Sequence, residues 1–357
     1  MRILLLPISI LYHIVLSIRH KLYDWRILKS LRFEYPVIGV GNLSLGGTGK
    51  TPTVEYLINI LRKNYSIATL SRGYGRKTKG FQRADSQSTY ETVGDEPLQY
   101  FHKFPEIQVA VDKDRIEGME KLILGQNTPD VILLDDAFQH RRIKAGFNIL
   151  LTEYQHLYCD DFLFPTGTLR DIKSAAKRAD LIVVSKSPKK LDESEKQRII
   201  KKLNPTEKQK VFFSSLEYQS LKPLNETAKQ VSPENADSIL AFCGIANPKP
   251  FVEELKKRHK TVDFLRFADH HAYTGNDIKA ILKRYENLAG EKKIIVTTEK
   301  DAARLTNSPY LCQFETAPLY DLPVGVRFHE EEKFNEEILS YVRKNSHDRW
   351  LYQIEDQ

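Results

Sequence analysis

Apolar residues in this chain follow two alternating patterns. Short continuous runs of Val, Ile and Leu recur at residues 36–40, 67–70, 107–111, 131–134, 148–151 and 181–184. Between them lie stretches whose apolar residues are three and four apart: Val54, Leu57, Ile58 and Leu61 within 51–62, then 112–124 and 192–203. A continuous apolar run suits a parallel strand covered on both faces, and three–four spacing puts one apolar stripe on each covering helix. The alternation predicts an α/β fold in which helices cross over a parallel sheet.

The pattern breaks and then resumes. Residues 211–234 are polar, carry Pro223 and Pro233 and show little periodicity, so they read as a connector. A second alternation follows, with strands expected at 239–242, 262–267 and 294–297 and helices at 248–257, 276–285 and 330–343. The expected organisation is an N-terminal helix at 1–30, a larger domain at 31–215, a linker at 216–236 and a smaller α/β domain at 237–357. The last helix is a candidate to return to the larger domain.

The N-terminus fits neither pattern. Residues 3–18 read ILLLPISILYHIVLSI, followed by Arg19, His20 and Lys21. The run is short of the roughly 20 apolar residues a spanning helix needs. Pro7 and the Tyr12–His13 pair interrupt it. Arg2 offers the positive start of a signal peptide, but no small-x-small cleavage site follows. An interfacial amphipathic helix fits best, with Arg19, Lys21, Arg26 and Lys29 placed for anionic headgroups. The plainer alternative is a helix packed on the protein's own core.

Composition narrows the partners. Of 357 residues 41% are hydrophobic, enough to build the cores of two domains. The net charge of +7 favours an anionic partner, whether nucleic acid, anionic lipid or a phosphorylated substrate. Cys159, Cys243 and Cys312 are far apart and in no CxxC pattern, so neither a disulfide framework nor a zinc site is implied.

The strongest local signal is Gly46, Gly47, Thr48, Gly49, Lys50 and Thr51, after an expected strand and opening an expected helix. In a P-loop, glycines let backbone N–H groups curl around phosphate oxygens. The lysine meets the β- and γ-phosphates, and the threonine hydroxyl ligates Mg²⁺. Ser44 stands where the usual first glycine would be. The second signal is the apolar run at 131–134 closed by Asp135 and Asp136, a Walker B pattern that brings a carboxylate to the metal. Which of the two holds Mg²⁺ is open.

Other polar clusters follow strands. Arg72, Tyr74 and Arg76 lie in SRGYGR, whose two arginines suit a phosphate or form only a mobile basic loop. Asp95 lies in GDEP, which is equally a helix cap. Arg115 sits early in an expected helix, and Arg170 and Asp171 close the loop TGTLRD. Asp269, His270 and His271 form either an orienting pair for a catalytic group or a metal site.

In order along most of the chain, these residues resemble the tetraacyldisaccharide 4'-kinases of lipid A synthesis. The resemblance is carried by GNLSLGGTGKTP (41–52), SRGYGR (71–76), VGDEP (93–97), LLDDAFQHR (133–141), PTGTLRD (165–171), CGIANP (243–248), FADHHAY (267–273) and TTEKDAARL (297–305). It implies a P-loop NTPase-type sheet with flanking helices, a smaller second α/β domain on a two-stranded linker, and an N-terminal membrane helix. The implied reaction is transfer of the γ-phosphate of ATP, with Mg²⁺, to the 4'-hydroxyl of an acylated glucosamine disaccharide 1-phosphate. The product is the 4'-phosphorylated lipid A precursor, lipid IVA. The implied setting is the cytoplasmic face of the inner membrane.

By the same resemblance Asp95 is the base, paired with His270, which Asp269 supports. Lys50 and Arg115 stabilise the transferred phosphoryl group, Thr51 with Asp135 or Asp136 holds Mg²⁺, and Gln139 and Arg170 complete the site. Asp171 stands where family members commonly have Glu, which leaves its metal or substrate contact open. A membrane-surface ATPase switch is the rival reading, but its signature lysine is replaced by Leu45. A nucleic-acid partner would need an aromatic-interleaved basic stripe, which the sequence lacks. Nothing in the sequence predicts a protein partner.

Overall fold

The computed structural model describes residues 5–306, 308–346 and 350–353. Arg2 and Ile3, at the start of the apolar run, lie outside them. The larger sheet has nine strands. From edge to edge they are Val324–Phe328, Lys210–Tyr218, Leu181–Ser185, Phe147–Glu153, Val37–Asn42, Val131–Asp135, Ile67–Ser71, Gln108–Val111 and Gln82–Arg83. The inner strands are all parallel and both edge strands run antiparallel to their neighbours.

Helices cover both faces, as the continuous apolar runs require. On one face Val54, Leu57, Ile58 and Leu61 of the helix Lys50–Leu61 pack with Phe334, Ile338 and Val342 of Glu331–Asn345. On the other, Met119 and Leu122 of Arg115–Ile123 and Ile199 and Leu203 of Glu193–Leu203 fill separate clusters. Each such fully buried side chain contributes about 1.5–3 kcal/mol through removal from water.

Five strands form the smaller sheet, in the order Lys222–Pro223, Leu319–Leu322, Lys293–Thr298, Ser238–Cys243 and Val262–Arg266. Within the linker expected at 216–236, residues 216–218 end a strand of the larger sheet, Lys222–Pro223 is a strand of the smaller one and Glu226–Lys229 is a short helix. Lys210–Tyr218 is an inner strand of the larger sheet, Lys222–Pro223 pairs with Leu319–Leu322, and Ala228 is buried in the smaller core. The strand was hidden because its covered positions include Ser214 and Ser215 beside Phe212 and Phe213. The chain crosses back at Pro323, between Leu322 and the edge strand Val324–Phe328.

The N-terminal helix spans Leu6–Asp24, with Pro7 in its first turn, where a missing N–H costs no helical bond. It packs inside out. Ser9, Leu16 and His20 are buried, whereas Ile8, Ile10, Leu11, Ile14, Val15 and Ile18 are 48–62% exposed. Phe162 is also exposed and lines one groove with Leu6, Ile10 and His13. Among the described residues, no helix is long and apolar enough to cross a membrane.

Candidate active site

The P-loop leaves the strand Val37–Asn42 and runs into the helix Lys50–Leu61. Gly46 and Gly49 take φ of +106° and +86°, a region that favours glycine. The helix therefore begins at the carboxyl ends of the parallel strands, with its free N–H groups available to an anion. Lys50 Nζ lies 3.3 Å from Asn42 Oδ1 and 3.4 Å from Asp136 Oδ1. The Thr51 hydroxyl lies 3.4 Å from Glu96 Oε1.

The two Walker B carboxylates have different surroundings. Asp135 ends its strand almost fully buried and accepts a hydrogen bond from the Tyr100 hydroxyl at 3.0 Å. Its Oδ1 is buried without a partner among the described residues. Burial, then the charge of Glu96, pushes its carboxyl up to about 7. Asp136 turns out of the strand with φ of +52°. Burial pushes its carboxyl up, but hydrogen bonding from Arg170 and the charge of Lys50 outweigh burial and hold it well below the usual range. Arg170 grips both oxygens of Asp136 and also bonds Asn42 Oδ1, while Gln139 Nε2 donates to the Asn42 carbonyl at 2.8 Å.

Arg115 is 3% exposed, and one of its nitrogens donates to the Asp112 carbonyl. Its Nε and a second terminal nitrogen are buried with no partner among the described residues. Burial lowers its pKa to about 10, against the opposing charges of Asp135 and Asp136. A buried guanidinium with unmatched donors beside a P-loop has the chemistry of an oxyanion clamp.

The third part of the site joins the two sheets. Asp95 and Glu96 open the helix Asp95–Lys103, and the helix Glu299–Leu305 of the smaller sheet lies against it. Asp95 Oδ2 is 2.8 Å from His270 Nδ1 and 2.6 Å from a terminal nitrogen of Arg304. Burial pushes the Asp95 carboxyl up, but the bonds from His270 and Arg304 overcome it and hold the pKa at about 2. Arg304 also bonds Asp301 Oδ1 at 2.8 Å, and Asp301 in turn accepts from Tyr273 and Gly244. Glu96 takes Lys300 at 2.8 Å, and Lys103 reaches Glu299 at 2.6 Å and Glu55 at 2.7 Å. His270 sits at φ of +56°, a strained setting for a non-glycine residue.

Several expected residues are placed differently. Asp171 is 1% exposed, so a substrate does not reach it. Its carboxylate is spent on His20 Nε2 at 2.6 Å, Arg178 at 3.1 Å and the Ile172 N–H at 2.9 Å. Arg76 bonds the carbonyls of Gly80 and Val111, which ties down its own loop. Asp269 comes no closer than 4.0 Å to His270 Nε2, so the main support of the Asp95–His270 pair is Arg304. Tyr74 is exposed with its ring 5.5 Å from that of His270, and Arg72 is exposed with its charge acting on His140 and Arg115. His270 and His271 diverge, since His271 pairs with Asp277 at 3.1 Å. Among the described residues, no group of three His, Cys, Asp or Glu side chains is placed to hold a metal by itself. Sequence leaves the role of Lys300 and Asp301 open and does not single out Asn42, Glu96, Tyr100 or Arg304, although Asn42, Glu96 and Arg304 stand inside the quoted motifs.

Comparison with known proteins identifies the family and the fold. The sequence profile described as "LpxK: Tetraacyldisaccharide-1-P 4'-kinase" matches residues 1–343. A tetraacyldisaccharide 4'-kinase of Flavobacterium johnsoniae is 46% identical over 346 residues, 97% of this chain and 98% of that protein. One of Bacteroides thetaiotaomicron is 43% identical over 355 residues, 96% of this chain and 93% of that protein. The crystal structure of LpxK from Aquifex aeolicus, an "apo" form in complex with ATP, superposes with a TM-score of 0.71 at 30% identity, covering 96% of this chain and 99% of that one. The chain therefore belongs to the tetraacyldisaccharide-1-P 4'-kinase (LpxK) family.

Proposed function

We propose that this protein transfers the γ-phosphate of ATP to the 4'-hydroxyl of an acylated glucosamine disaccharide 1-phosphate, yielding the 4'-phosphorylated lipid A precursor. The observation that carries the reading is a pair of adjacent carboxylates. Glu96 meets Thr51 of the P-loop, while Asp95 meets His270 and Arg304 of the smaller sheet. Nucleotide site and acceptor site are thereby joined through one helix N-terminus.

Lys50 and the unmatched nitrogens of Arg115 balance the negative charge of the transferred phosphoryl group. Mg²⁺, when bound, neutralises the triphosphate. Thr51 and Asp135 would hold it: Asp135 Oδ1 is buried without a described partner, and a cation there would draw the raised carboxyl into its charged form. Two protein ligands are enough, since Mg²⁺ keeps several waters and takes substrate oxygens.

With a pKa of about 2, Asp95 is a weak proton acceptor in the ground state. Both its partners occupy Oδ2, which leaves Oδ1 to accept the substrate hydroxyl. Its first task is to orient that hydroxyl in line with the phosphorus. In a loose phosphoryl transfer the hydroxyl proton leaves late, when the oxygen is already acidic, so a weak base suffices. Arg72 and Tyr74 lie on the acceptor side, beside His140 and His270.

The acyl chains of such a substrate remain in a bilayer, so the enzyme must work at its surface. The exposed face of Leu6–Asp24 and Phe162 supply the apolar contact, and the cytoplasmic face of the inner membrane is the side that offers ATP. The test is transfer of radiolabelled γ-phosphate to tetraacyldisaccharide 1-phosphate in detergent micelles. Labelled lipid is the expected product. ATP hydrolysis with no labelled lipid would overturn the reading.

A further inference from the structure

The N-terminal helix faces the protein with Leu16 and a run of polar side chains, and these polar groups bond residues 163–171 and Gln139 beside the phosphate site. Ser9 Oγ donates to the Leu163 carbonyl at 2.9 Å and meets Thr166 Oγ1 at 2.8 Å. The Tyr12 hydroxyl donates to the carbonyl of Arg170 at 3.1 Å. Arg19 donates to the carbonyl of Gln139 at 3.1 Å. His20 Nε2 lies 2.6 Å from Asp171 Oδ1, and Arg141 approaches both His20 Nδ1 and the His20 carbonyl at 3.0 Å.

An apolar stripe would have buried the helix without direction. These bonds have donors, acceptors and one register. Arginine can only donate, so His20 Nδ1 accepts from Arg141 and the ring proton sits on Nε2, where it goes to Asp171. His20 is 5% exposed and Asp171 1%, so this bond is shielded from water.

The loop that receives these bonds is the one that grips the P-loop. The Arg170 N–H donates to the Leu43 carbonyl at 2.8 Å, and the Leu45 N–H donates to the Thr168 carbonyl at 2.7 Å. The Arg170 guanidinium holds Asp136 and Asn42, both of which contact Lys50. From His20 the path to the phosphate-binding lysine runs through Asp171, Arg170 and Asp136.

We propose that His20 is a positioning residue for phosphoryl transfer, with Tyr12 as its companion. The polar face of the membrane helix seats residues 166–171, and so sets Arg170 against the Walker B and P-loop groups. The helix thus has two separable jobs, recruitment on its exposed face and alignment on its buried one. This inference rests on the kinase reading above.

The test uses the full chain with substrate in detergent micelles, so that recruitment to a bilayer does not limit the rate. The variants are His20→Ala and His20→Gln, whose amide offers one donor and one acceptor as the imidazole does. Turnover is expressed per molecule that binds a fluorescent ATP analogue, which discounts misfolded protein, and partition onto anionic liposomes is measured alongside. His20→Ala is expected to lower kcat about 10- to 100-fold, the scale of an ångström-level misplacement of catalytic groups. The KM values should move little, liposome partition should match the wild type, and His20→Gln should restore most of the loss.

Wild-type kcat per nucleotide-binding molecule in His20→Ala would overturn the proposal. So would a loss that tracks liposome partition, or one that His20→Gln leaves unrepaired. If the wild-type chain itself labels no lipid, it is the kinase reading that fails.

Discussion

Replacing Arg304 by Met keeps the length of the side chain and removes its charge. The guanidinium is 3% exposed and spans Asp95 Oδ2 at 2.6 Å and Asp301 Oδ1 at 2.8 Å. Removing one partner of a buried ion pair costs about 3–5 kcal/mol, because the other charge stays buried. Asp301 keeps Tyr273, Thr298 and the Gly244 N–H, which favours the lower end of that range. Asp95 keeps only His270 against the burial that pushes its carboxyl up.

An opposite charge at this range lowers a carboxylate by about 1–3 pH units, each about 1.36 kcal/mol. Without Arg304 the Asp95 carboxyl, at about 2 in the wild type, should titrate about two units higher. The depressed wild-type value stabilises the fold above the ordinary carboxylate pKa, and that stability is lost only as pH falls towards 2. In Arg304→Met this contribution is gone throughout. The assay is kcat for lipid phosphorylation against pH, with circular dichroism on the same samples. The acid limb of Arg304→Met should move up to about pH 4, and Arg304→Lys, which keeps the charge but not the span, should fall between. An unmoved acid limb in a folded Arg304→Met protein would refute the argument that Arg304 sets the Asp95 charge.

Further outcomes follow from other parts of the structure. Asp95→Asn should lose turnover by about 10²–10⁴-fold while ATP affinity is nearly kept; wild-type kcat would remove Asp95 from the chemistry. Changing Leu11, Ile14 and Ile18 together to Ser should weaken liposome partition, since each loses about 1.5–3 kcal/mol of burial in lipid; unchanged co-sedimentation would contradict a membrane-facing helix. Burial, then the charge of Glu299, raises the Glu55 carboxyl to about 7. The protonated form is therefore favoured in the fold, and stability should fall as pH rises through that value. Glu55→Gln should flatten the melting temperature between pH 5 and pH 8, and an unchanged slope there would count against the assignment.

The sequence made some of this legible and hid the rest for physical reasons. The P-loop and Walker B patterns are local, so spacing alone revealed Lys50, Thr51, Asp135 and Asp136. The Asp95–His270 pairing came only through family resemblance, because nothing local joins residues of different sheets. Arg304 and Asp301 stand three apart on one helix, which reads as an ordinary surface pair and conceals the reach to Asp95. Lys300 and Glu96 have no proximity along the chain. The strand Lys210–Tyr218 was masked by serines at covered positions. The N-terminal helix was recognised as amphipathic, yet periodicity gives no sign of which face the protein keeps.

The return of the chain to its first sheet constrains how the protein can be made. Val324–Phe328 completes the edge beside Lys210–Tyr218, and Phe328 stacks on Phe334 against the apolar face that Tyr56 also borders. All of this emerges from the ribosome last, after the whole of the smaller sheet. Until then the larger sheet waits with an unpaired edge and an uncovered apolar face, the kind of surface that invites association with other nascent chains. A translation product that stops before residue 324 would therefore be a half-closed sheet in need of a chaperone, rather than a kinase lacking a tail.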